Sequence, residues 1–210
     1  MKKRLLGYYD YTVVLTYVGM LCAFTAILQS LQENYLNAII FLMLAGICDM
    51  FDGAVASTKD RNKSEKRFGI QIDSLSDLIS FGVMPAIFTY MIAGKTLLSG
   101  TVASGFALAA LIRLAYFNVT EEERQDRTNE SRTVFQGMPV TTMAVLLPIV
   151  YLLSNLGQWK GGYLVLLVIS GSCFLAPFEL KKPKLVGKIC LIVIGIVEFF
   201  SVFFLGWDLV

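Results

Sequence analysis

Four aspartates give this chain its clearest chemistry, because they lie at or inside strongly apolar stretches, at positions Asp49, Asp52, Asp73 and Asp77. Placing one charged side chain inside a membrane costs about 2.5 to 3.5 kcal/mol, so we expect a cation to offset their charge. The sequence contains no histidine and its four cysteines are scattered, which argues against zinc. Carboxylates suit Mg²⁺ and similar hard divalent ions, which commonly bridge a protein to substrate phosphates. The four acids therefore predict a divalent-cation site with oxygen ligands.

The spacing of these acids predicts where they point. Helix positions three or four apart share a face, so the spacing predicts two stripes on two helices. The first stripe contains Asp49, Asp52, Gly53 and Ala56, and the second contains Gly69, Asp73, Asp77 and Ser80. Small residues within both stripes leave the backbone accessible, so the two helices could approach one ligand closely. Asp77 is the acid furthest along its stripe, so its carboxylate could face the hydroxyl group of an incoming substrate while the other three acids hold the metal ion.

The order Asp49-x-x-Asp52-Gly53-x-x-Ala56, followed by Gly69-x-x-x-Asp73-x-x-x-Asp77, resembles the signature of the CDP-alcohol phosphotransferases. The resemblance implies that all four aspartates bind Mg²⁺ or Mn²⁺, as one or two ions. It also implies that Asp77 is the base that takes the proton from the acceptor alcohol. The implied site for the nucleotide and its phosphates consists of Gly53, Ala56, Ser57 and Gly69.

This chain departs from the family signature at two points. Ser57 stands where the family usually has arginine, and the connection that follows, residues 58–68, is longer than usual. Lys59, Arg61 or Lys63 is the candidate for the missing positive charge. The connection itself is predicted to be either a lid over an anionic headgroup or a solvated loop.

Further stretches are similar to the membrane-integral phosphatidylserine synthase branch of this family, over roughly the first two thirds of the chain. They are residues 68–77, residues 80–86, Arg113-Leu114-Ala115-Tyr116-Phe117-Asn118 and Gly137-Met138-Pro139. The similarity implies transfer of the phosphatidyl group from CDP-diacylglycerol to L-serine, with release of CMP. Arg113, Asn118 and Arg132 are then the candidates for holding the serine.

Two other functions fit part of the pattern. Within the family, the acceptor could be glycerol 3-phosphate or inositol phosphate, or the donor could carry archaeol chains. Outside the family, a divalent-cation transporter also uses acids inside the membrane, although its acids would follow a path near mid-membrane. Structural ion pairing is a poor explanation of the four acids, because Arg113 is their one plausible partner within the predicted spans.

Composition predicts the architecture that must position these residues. Hydrophobic residues make up 56% of the chain and the mean hydropathy is +0.65, which is too apolar for an ordinary soluble domain. We predict one all-α catalytic domain over residues 1–210, a polytopic membrane helical bundle with about seven spans of about 20 residues, within a range of about six to eight. The predicted spans are 12–31, 36–56, 70–93, 99–118, 138–156, 162–178 and 186–206.

Two of these spans carry specific expectations. Pro85 should kink the third span or force a local adjustment. The first span, 12–31, contains no ionisable residue and is predicted to be scaffold. The sequence assigns no role to Glu198, which lies inside the last span. A homodimer is compatible with the sequence.

Loop charges predict the orientation in the membrane. With the amino terminus in the cytoplasm, all of the 18 lysine and arginine residues except Lys95 and Lys160 lie on the inner side, as the positive-inside bias requires. The active site of this multi-pass protein of the cell membrane then faces the cytoplasm, and residues 1–11 form a basic interfacial lead. The basic rim would attract anionic lipids and substrates, whereas no nucleic-acid motif is present.

Overall fold

The structure, a computed structural model, describes residues 6–127, 134–157, 161–181 and 185–207. Apolar helices form a bundle, as the composition predicts. The α-helices are α1 (Val14–Leu31), α2 (Tyr35–Ala56), α3 (Lys63–Asp77), α4 (Met84–Ile92), α5 (Leu97–Arg127), α6 (Met143–Gly157), α7 (Gly161–Leu175) and α8 (Leu185–Trp207). Single 3-10 turns at Tyr11–Val13 and Val140–Thr142 lead into α1 and α6.

Helices α1 and α2 form an antiparallel hairpin that is closed by a short turn. Gly19 allows the two helices to approach, since a Cβ at this position would lie 3.1 Å from the Cβ of Cys48. Small residues at a helix contact allow this kind of close packing within membranes. The contact sets α1 directly against the part of α2 that carries Asp49 and Asp52.

Helices α3 and α4 form one continuous rod, joined by a π-helical turn at Leu78–Val83. The rod begins at Lys63, before the predicted start at residue 70, because Asn62 and Glu65 form a capping box that stabilises a polar first turn. The π-helical turn directly precedes α4, which has Pro85 in its first turn. Since proline lacks the helical N–H and crowds the preceding turn, the wider turn is a local adjustment of the kind predicted at Pro85.

An aromatic cluster packs the bundle near the start of α2. The ring of Phe88 lies 5.5 Å from that of Tyr35, 6.3 Å from that of Tyr151 and 5.9 Å from that of Tyr163, measured between centroids. These four rings join α2, α4, α6 and α7. Tyr35 is about 20 Å from Asp49 along the axis of α2, at 1.5 Å per residue. The cluster therefore fixes the helices at the end remote from the aspartates.

A short strand pair departs from the all-α prediction. Strand β1 (Val134–Gln136) pairs antiparallel with β2 (Glu179–Lys181). Gly137 follows β1 with a φ of 69°, and its N–H donates to the carbonyl of Phe178 at 2.7 Å. A Cβ at Gly137 would lie 2.9 Å from the carbonyl oxygen of Phe174. The pair thus joins the segment before α6 to the segment before α8.

Within the described residues, four helical rods are long and apolar enough to cross a membrane: Tyr11–Leu31, Tyr35–Ala56, Lys63–Ile92 and Leu97–Arg124. They correspond to the first four predicted spans. The fifth to seventh predicted spans correspond to α6, α7 and α8, which contain the apolar stretches Val140–Ser154, Gly161–Leu175 and Val193–Phe204. The chain is a multi-pass membrane protein whose membrane region is helical.

Candidate active site

The aspartates of α2 and α3 meet where the two helices face each other. Asp49, Asp52 and Asp73 each offer a carboxylate oxygen, and these three oxygens lie within 4.8 Å of one another. Asp52 is buried, with 8% of its surface exposed, and the other two are half-buried. Asp77, one turn after Asp73, lines a small void of about 10 Å³ together with Asp49 and Asp52. The two predicted stripes thus bring their acids to one place.

A cavity of about 570 Å³ lies beside Asp52 and Asp73. Gly53, Ala56 and Gly69 line it as well, so the small residues of both stripes leave space next to the acids. Sites for small molecules commonly have volumes of about 300 to 1,000 Å³. The cavity is therefore large enough for a ligand that reaches the carboxylates.

The first rod, Tyr11–Leu31, contributes to this site through its amino-terminal end, which corrects the prediction that the first span is only scaffold. Thr12, Val13 and Thr16 line the cavity. The hydroxyl of Thr16 donates a hydrogen bond to Oδ2 of Asp52 at 3.0 Å. The sequence signal that could have indicated this face is a pair of hydroxyl residues four positions apart, Thr12 and Thr16. They precede Gly19, which contacts α2.

Basic side chains line another part of the cavity. They are Arg61 from the α2–α3 connection, Lys63, Lys66 and Arg67 from the start of α3, and Arg124 from α5, together with Glu122. Arg61 passes so close to Gly69 that a Cβ there would lie 2.8 Å from Nη1. The cavity therefore presents acids on one side and cations on another, an arrangement that suits a phosphate-bearing ligand bound with a metal ion.

Lys59, the third candidate for the missing positive charge, lies in an ion pair instead. Its Nζ is 2.7 Å from Oδ2 of Asp10. The hydrogen bonds from Lys59 and Thr12 lower the pKa of Asp10 to about 2. The hydroxyls of Tyr11 and Thr58 lie 3.0 Å apart and add a second contact. These contacts join the start of α1 to the α2–α3 connection at the edge of the cavity.

The remaining predicted phosphate ligand, Ser57, is exposed and does not line the cavity. Its hydroxyl donates to the carbonyl of Ala54 at 2.7 Å. This bond lies within the last turn of α2, as is usual for serine near a helix end.

Two of the residues predicted to hold the acceptor, Arg113 and Asn118, are on α5. Asn118 accepts a hydrogen bond from the hydroxyl of Ser74 and donates one to Oε1 of Gln71 at 3.2 Å, so it ties α5 to α3. Arg113 is buried, and its guanidinium lies 5.9 Å from the centroid of the Phe117 ring. Neither Arg113 nor Asn118 lines the cavity in the described part of the chain. Arg132 lies outside the described residues.

The donor chemistry of the acidic cluster fits a hard divalent ion. Asp49, Asp52 and Asp73 provide oxygen atoms alone, close enough together to contact one ion. Mg²⁺ and Mn²⁺ prefer such carboxylate ligands and keep further positions for water or phosphate. The cluster can therefore hold a metal ion at the edge of the cavity.

Comparison with known proteins agrees with this geometry. The chain matches the family described as CDP-alcohol phosphatidyltransferase over residues 12–176, a range that includes all four aspartates and the cavity. The chain belongs to this family, whose members join a CDP-linked donor to an alcohol acceptor. Family membership also argues against the divalent-cation transporter.

Similar individual proteins carry one name, CDP-diacylglycerol–serine O-phosphatidyltransferase. The protein from Saccharomyces cerevisiae is 37% identical over 123 residues, which are 57% of this chain and 44% of the relative. The protein from Mycobacterium tuberculosis is 28% identical over 81% of this chain and 60% of the relative. The protein from Bacillus subtilis is 25% identical over 81% of this chain and 86% of the relative. The chain thus spans about half of the yeast and mycobacterial relatives and most of the Bacillus one.

Proposed function

We propose that this protein transfers the phosphatidyl group of CDP-diacylglycerol to the hydroxyl of L-serine, giving phosphatidylserine and CMP. The observation that carries the proposal is the meeting of Asp49, Asp52 and Asp73 beside a cavity with a basic side, in the register of the family signature. The names of the similar proteins support serine as the acceptor.

The acidic cluster binds the ion that this chemistry needs. Held by Asp49, Asp52 and Asp73, with Asp77 as a further ligand, one or two Mg²⁺ or Mn²⁺ ions would neutralise charge on the phosphates. Gly53, Ala56 and Gly69 leave room beside these ligands for the nucleotide.

Asp77 is the proposed base for the acceptor. The serine hydroxyl oxygen forms a bond to the phosphorus that carries the diacylglycerol, while the bond from this phosphorus to the CMP oxygen breaks. The hydroxyl proton passes to the carboxylate of Asp77, and CMP leaves with its phosphate. Asp77 suits this role because it lies one turn beyond Asp73 on α3, next to the acids at the cavity.

The basic side of the cavity holds the negative groups of both substrates. Arg61 and Lys66 face the cavity and can contact donor phosphates or the serine carboxylate through charge-assisted hydrogen bonds. Arg132 remains a proposed contact for serine. Asn118 acts through α3, because its contacts with Gln71 and Ser74 fix the helix that carries Asp73 and Asp77.

We further propose seven membrane spans with the cavity open to the cytoplasm. Helices α6, α7 and α8 would complete the bundle, and the basic residues at the cavity would lie at the inner membrane surface. CDP-diacylglycerol would then reach the cavity from the inner leaflet, with its acyl chains still in the membrane.

A phosphorylated acceptor is the second candidate. The five basic side chains that line the cavity would also suit glycerol 3-phosphate or inositol phosphate, each of which carries more negative charge than serine. This alternative keeps the same metal site and the same base, and it changes the acceptor alone.

Acceptor-dependent release of CMP tests the proposal. Purified protein in lipid nanodiscs would receive CDP-diacylglycerol, Mn²⁺ and either serine, glycerol 3-phosphate or inositol phosphate. Of the three reactions, we expect CMP release only in the one that contains serine, with phosphatidylserine as the lipid product. CMP release with glycerol 3-phosphate or inositol phosphate but not with serine would identify that compound as the acceptor instead of serine. No CMP release with any of the three would overturn the enzyme assignment.

A further inference from the structure

Thr16 is the hydroxyl residue of α1 that reaches the acidic cluster. It is 7% exposed and lines both the main cavity and the small void beside Asp77. Its Oγ1 donates to Oδ2 of Asp52 at 3.0 Å, across a sequence separation of 36 residues. Within this contact the hydroxyl is the donor, because an ionised carboxylate can only accept.

Other hydroxyls of the same helix behave differently. Thr25 donates to the carbonyl of Leu21, and Ser30 donates to the carbonyl of Ala26, each at 2.8 Å. Such bonds to the preceding turn are the ordinary way for serine and threonine to satisfy their hydroxyls inside a helix. Thr16 instead directs its hydroxyl to a neighbouring helix, so its bond relates α1 to the acids rather than serving α1 itself.

The backbone around Thr16 is held firmly enough for this contact to position a side chain. One turn away, Gly19 packs against Cys48 of α2, where an added Cβ would lie 3.1 Å from the Cys48 Cβ. On the other side, the hydroxyl of Ser76 in α3 lies 3.4 Å from the carbonyl oxygen of Thr16. Thr16 thus contacts α2 through its side chain and α3 through its main chain, between the two helices that carry the aspartates.

We infer that Thr16 is a positioning residue for the divalent-metal site, acting through Asp52. A hydrogen bond to Oδ2 restricts rotation of the Asp52 carboxylate and so helps to hold its oxygens in place for a metal ion. Partners of this kind, outside the ligands themselves, commonly change metal affinity by about 10-fold to 100-fold when they are removed. The inference rests on the proposed function, because it takes the aspartates to be metal ligands.

Direct Mn²⁺ binding tests this inference without any measurement of turnover. Mn²⁺ titrations of the purified protein, followed by electron paramagnetic resonance, would compare the wild type with Thr16→Val, which keeps the shape and removes the hydroxyl. We expect Thr16→Val to weaken Mn²⁺ binding by about tenfold or more. Thr16→Ser restores a hydroxyl and should bind Mn²⁺ nearly as tightly as the wild type. Thr25→Val is the matched control on the same helix and should leave binding unchanged.

Two results would overturn the inference. One is Mn²⁺ binding by Thr16→Val as tight as that of the wild type, and the other is equal weakening by Thr16→Ser and Thr16→Val, which would indicate packing rather than the hydroxyl. If Thr16→Val does not fold, Thr16→Ala is compared with Thr16→Ser by the same criterion. Asp73→Asn separates this failure from that of the proposed function: unchanged Mn²⁺ binding in Asp73→Asn would reject the metal site itself.

Discussion

Two regions of this protein bury an acid in an apolar helix, and they differ in almost everything else. Asp52 in α2 is 8% exposed and Glu198 in α8 is 5% exposed. Asp52 accepts a hydrogen bond from Thr16 and lies beside Asp49, Asp73 and a cavity. In the described residues, both carboxylate oxygens of Glu198 lack a hydrogen-bond partner, and Glu198 lines neither cavity.

The difference shows that burial of an acid does not by itself indicate a functional site. At the aspartates, three helices bring oxygens, small residues and cations to one place, where a bound metal ion would offset the cost of burial. At Glu198 no comparable group of side chains converges within the described residues, so no ligand site there would offset the cost of burial. The comparison predicts that substitutions at the two places act on different properties, activity at the first and stability at the second.

Replacement of the proposed base should have the largest effect on activity. Asp77→Asn keeps the shape of the side chain but removes the proton acceptor, and we expect CMP release to fall about 1,000-fold, within the range for a general base. Glu198→Gln is the matched control, an equally conservative change of a buried acid, and should leave the rate near that of the wild type. Equal losses of CMP release in the two variants would contradict the proposed difference between the two regions.

Removal of a cation from the cavity should have a smaller effect. Arg61→Ala deletes charge-assisted hydrogen bonds to the substrates, each worth about 1.5 to 3 kcal/mol, so we expect kcat/KM to fall about tenfold or more. Lys95→Ala, which breaks the ion pair of Lys95 with Glu33 remote from the cavity, is the control. A normal kcat/KM in Arg61→Ala would exclude Arg61 from substrate binding.

Displacement of the same guanidinium should reduce activity more mildly. In Gly69→Ala the added Cβ would lie 2.8 Å from Nη1 of Arg61, and the flexible arginine must move away. We expect a decrease in kcat/KM smaller than that of Arg61→Ala, with normal folding. Gly105→Ala, where a Cβ meets nothing within 4 Å, should leave kcat/KM unchanged, and a similar loss in both would point to helix effects instead.

Replacement of the lone acid should change stability alone. Glu198→Leu removes buried polar oxygens that lack hydrogen bonds, and burial of such a group typically costs about 1 to 3 kcal/mol. We expect a higher melting temperature with unchanged CMP release, measured on protein purified in the same detergent. A lower melting temperature together with lost activity would show that Glu198 belongs to the working machinery.

The smallest effect should come from the ion pair at the edge of the cavity. Because the pKa of Asp10 is lowered from 3.8 to about 2, its contribution to stability is complete above the ordinary pKa and is lost only as the pH falls toward 2. We therefore expect Asp10→Asn to lower the melting temperature slightly, by the same amount at any pH from about 5 to about 8. A difference that varies over this range would show that another group titrates with the pair.

Much of the fold could be predicted from the sequence. Apolar runs of membrane length predict the first four rods, and the spacing of the acids predicts which faces of α2 and α3 meet. The start of α3 at Lys63 is also predictable from the sequence, since Asn62 and Glu65 form a recognisable capping box. Hydropathy alone does not predict this start, because a polar first turn carries no hydropathy signal.

Contacts between distant helices could not be predicted in the same way. The bond from Thr16 to Asp52 and the contacts of Asn118 with Ser74 depend on how helices pack side by side, which periodicity within one helix does not specify. The resemblance to the family predicts both Ser57 and Asn118 at the site. In the structure, the side chain of each forms its hydrogen bonds with residues that do not line the cavity. The strands β1 and β2 are three residues each, too short for a pattern to indicate.

We propose that the acids of α2 and α3 form a divalent-metal site and that the acid of α8 does not. Anomalous scattering from crystals of the protein grown with Mn²⁺ tests it most directly, because each ion appears at its own position. We expect a peak bounded by Asp49, Asp52 and Asp73 and no peak at Glu198. Mn²⁺ bound at Glu198, or absent from the three aspartates in Mn²⁺-loaded crystals, would contradict it.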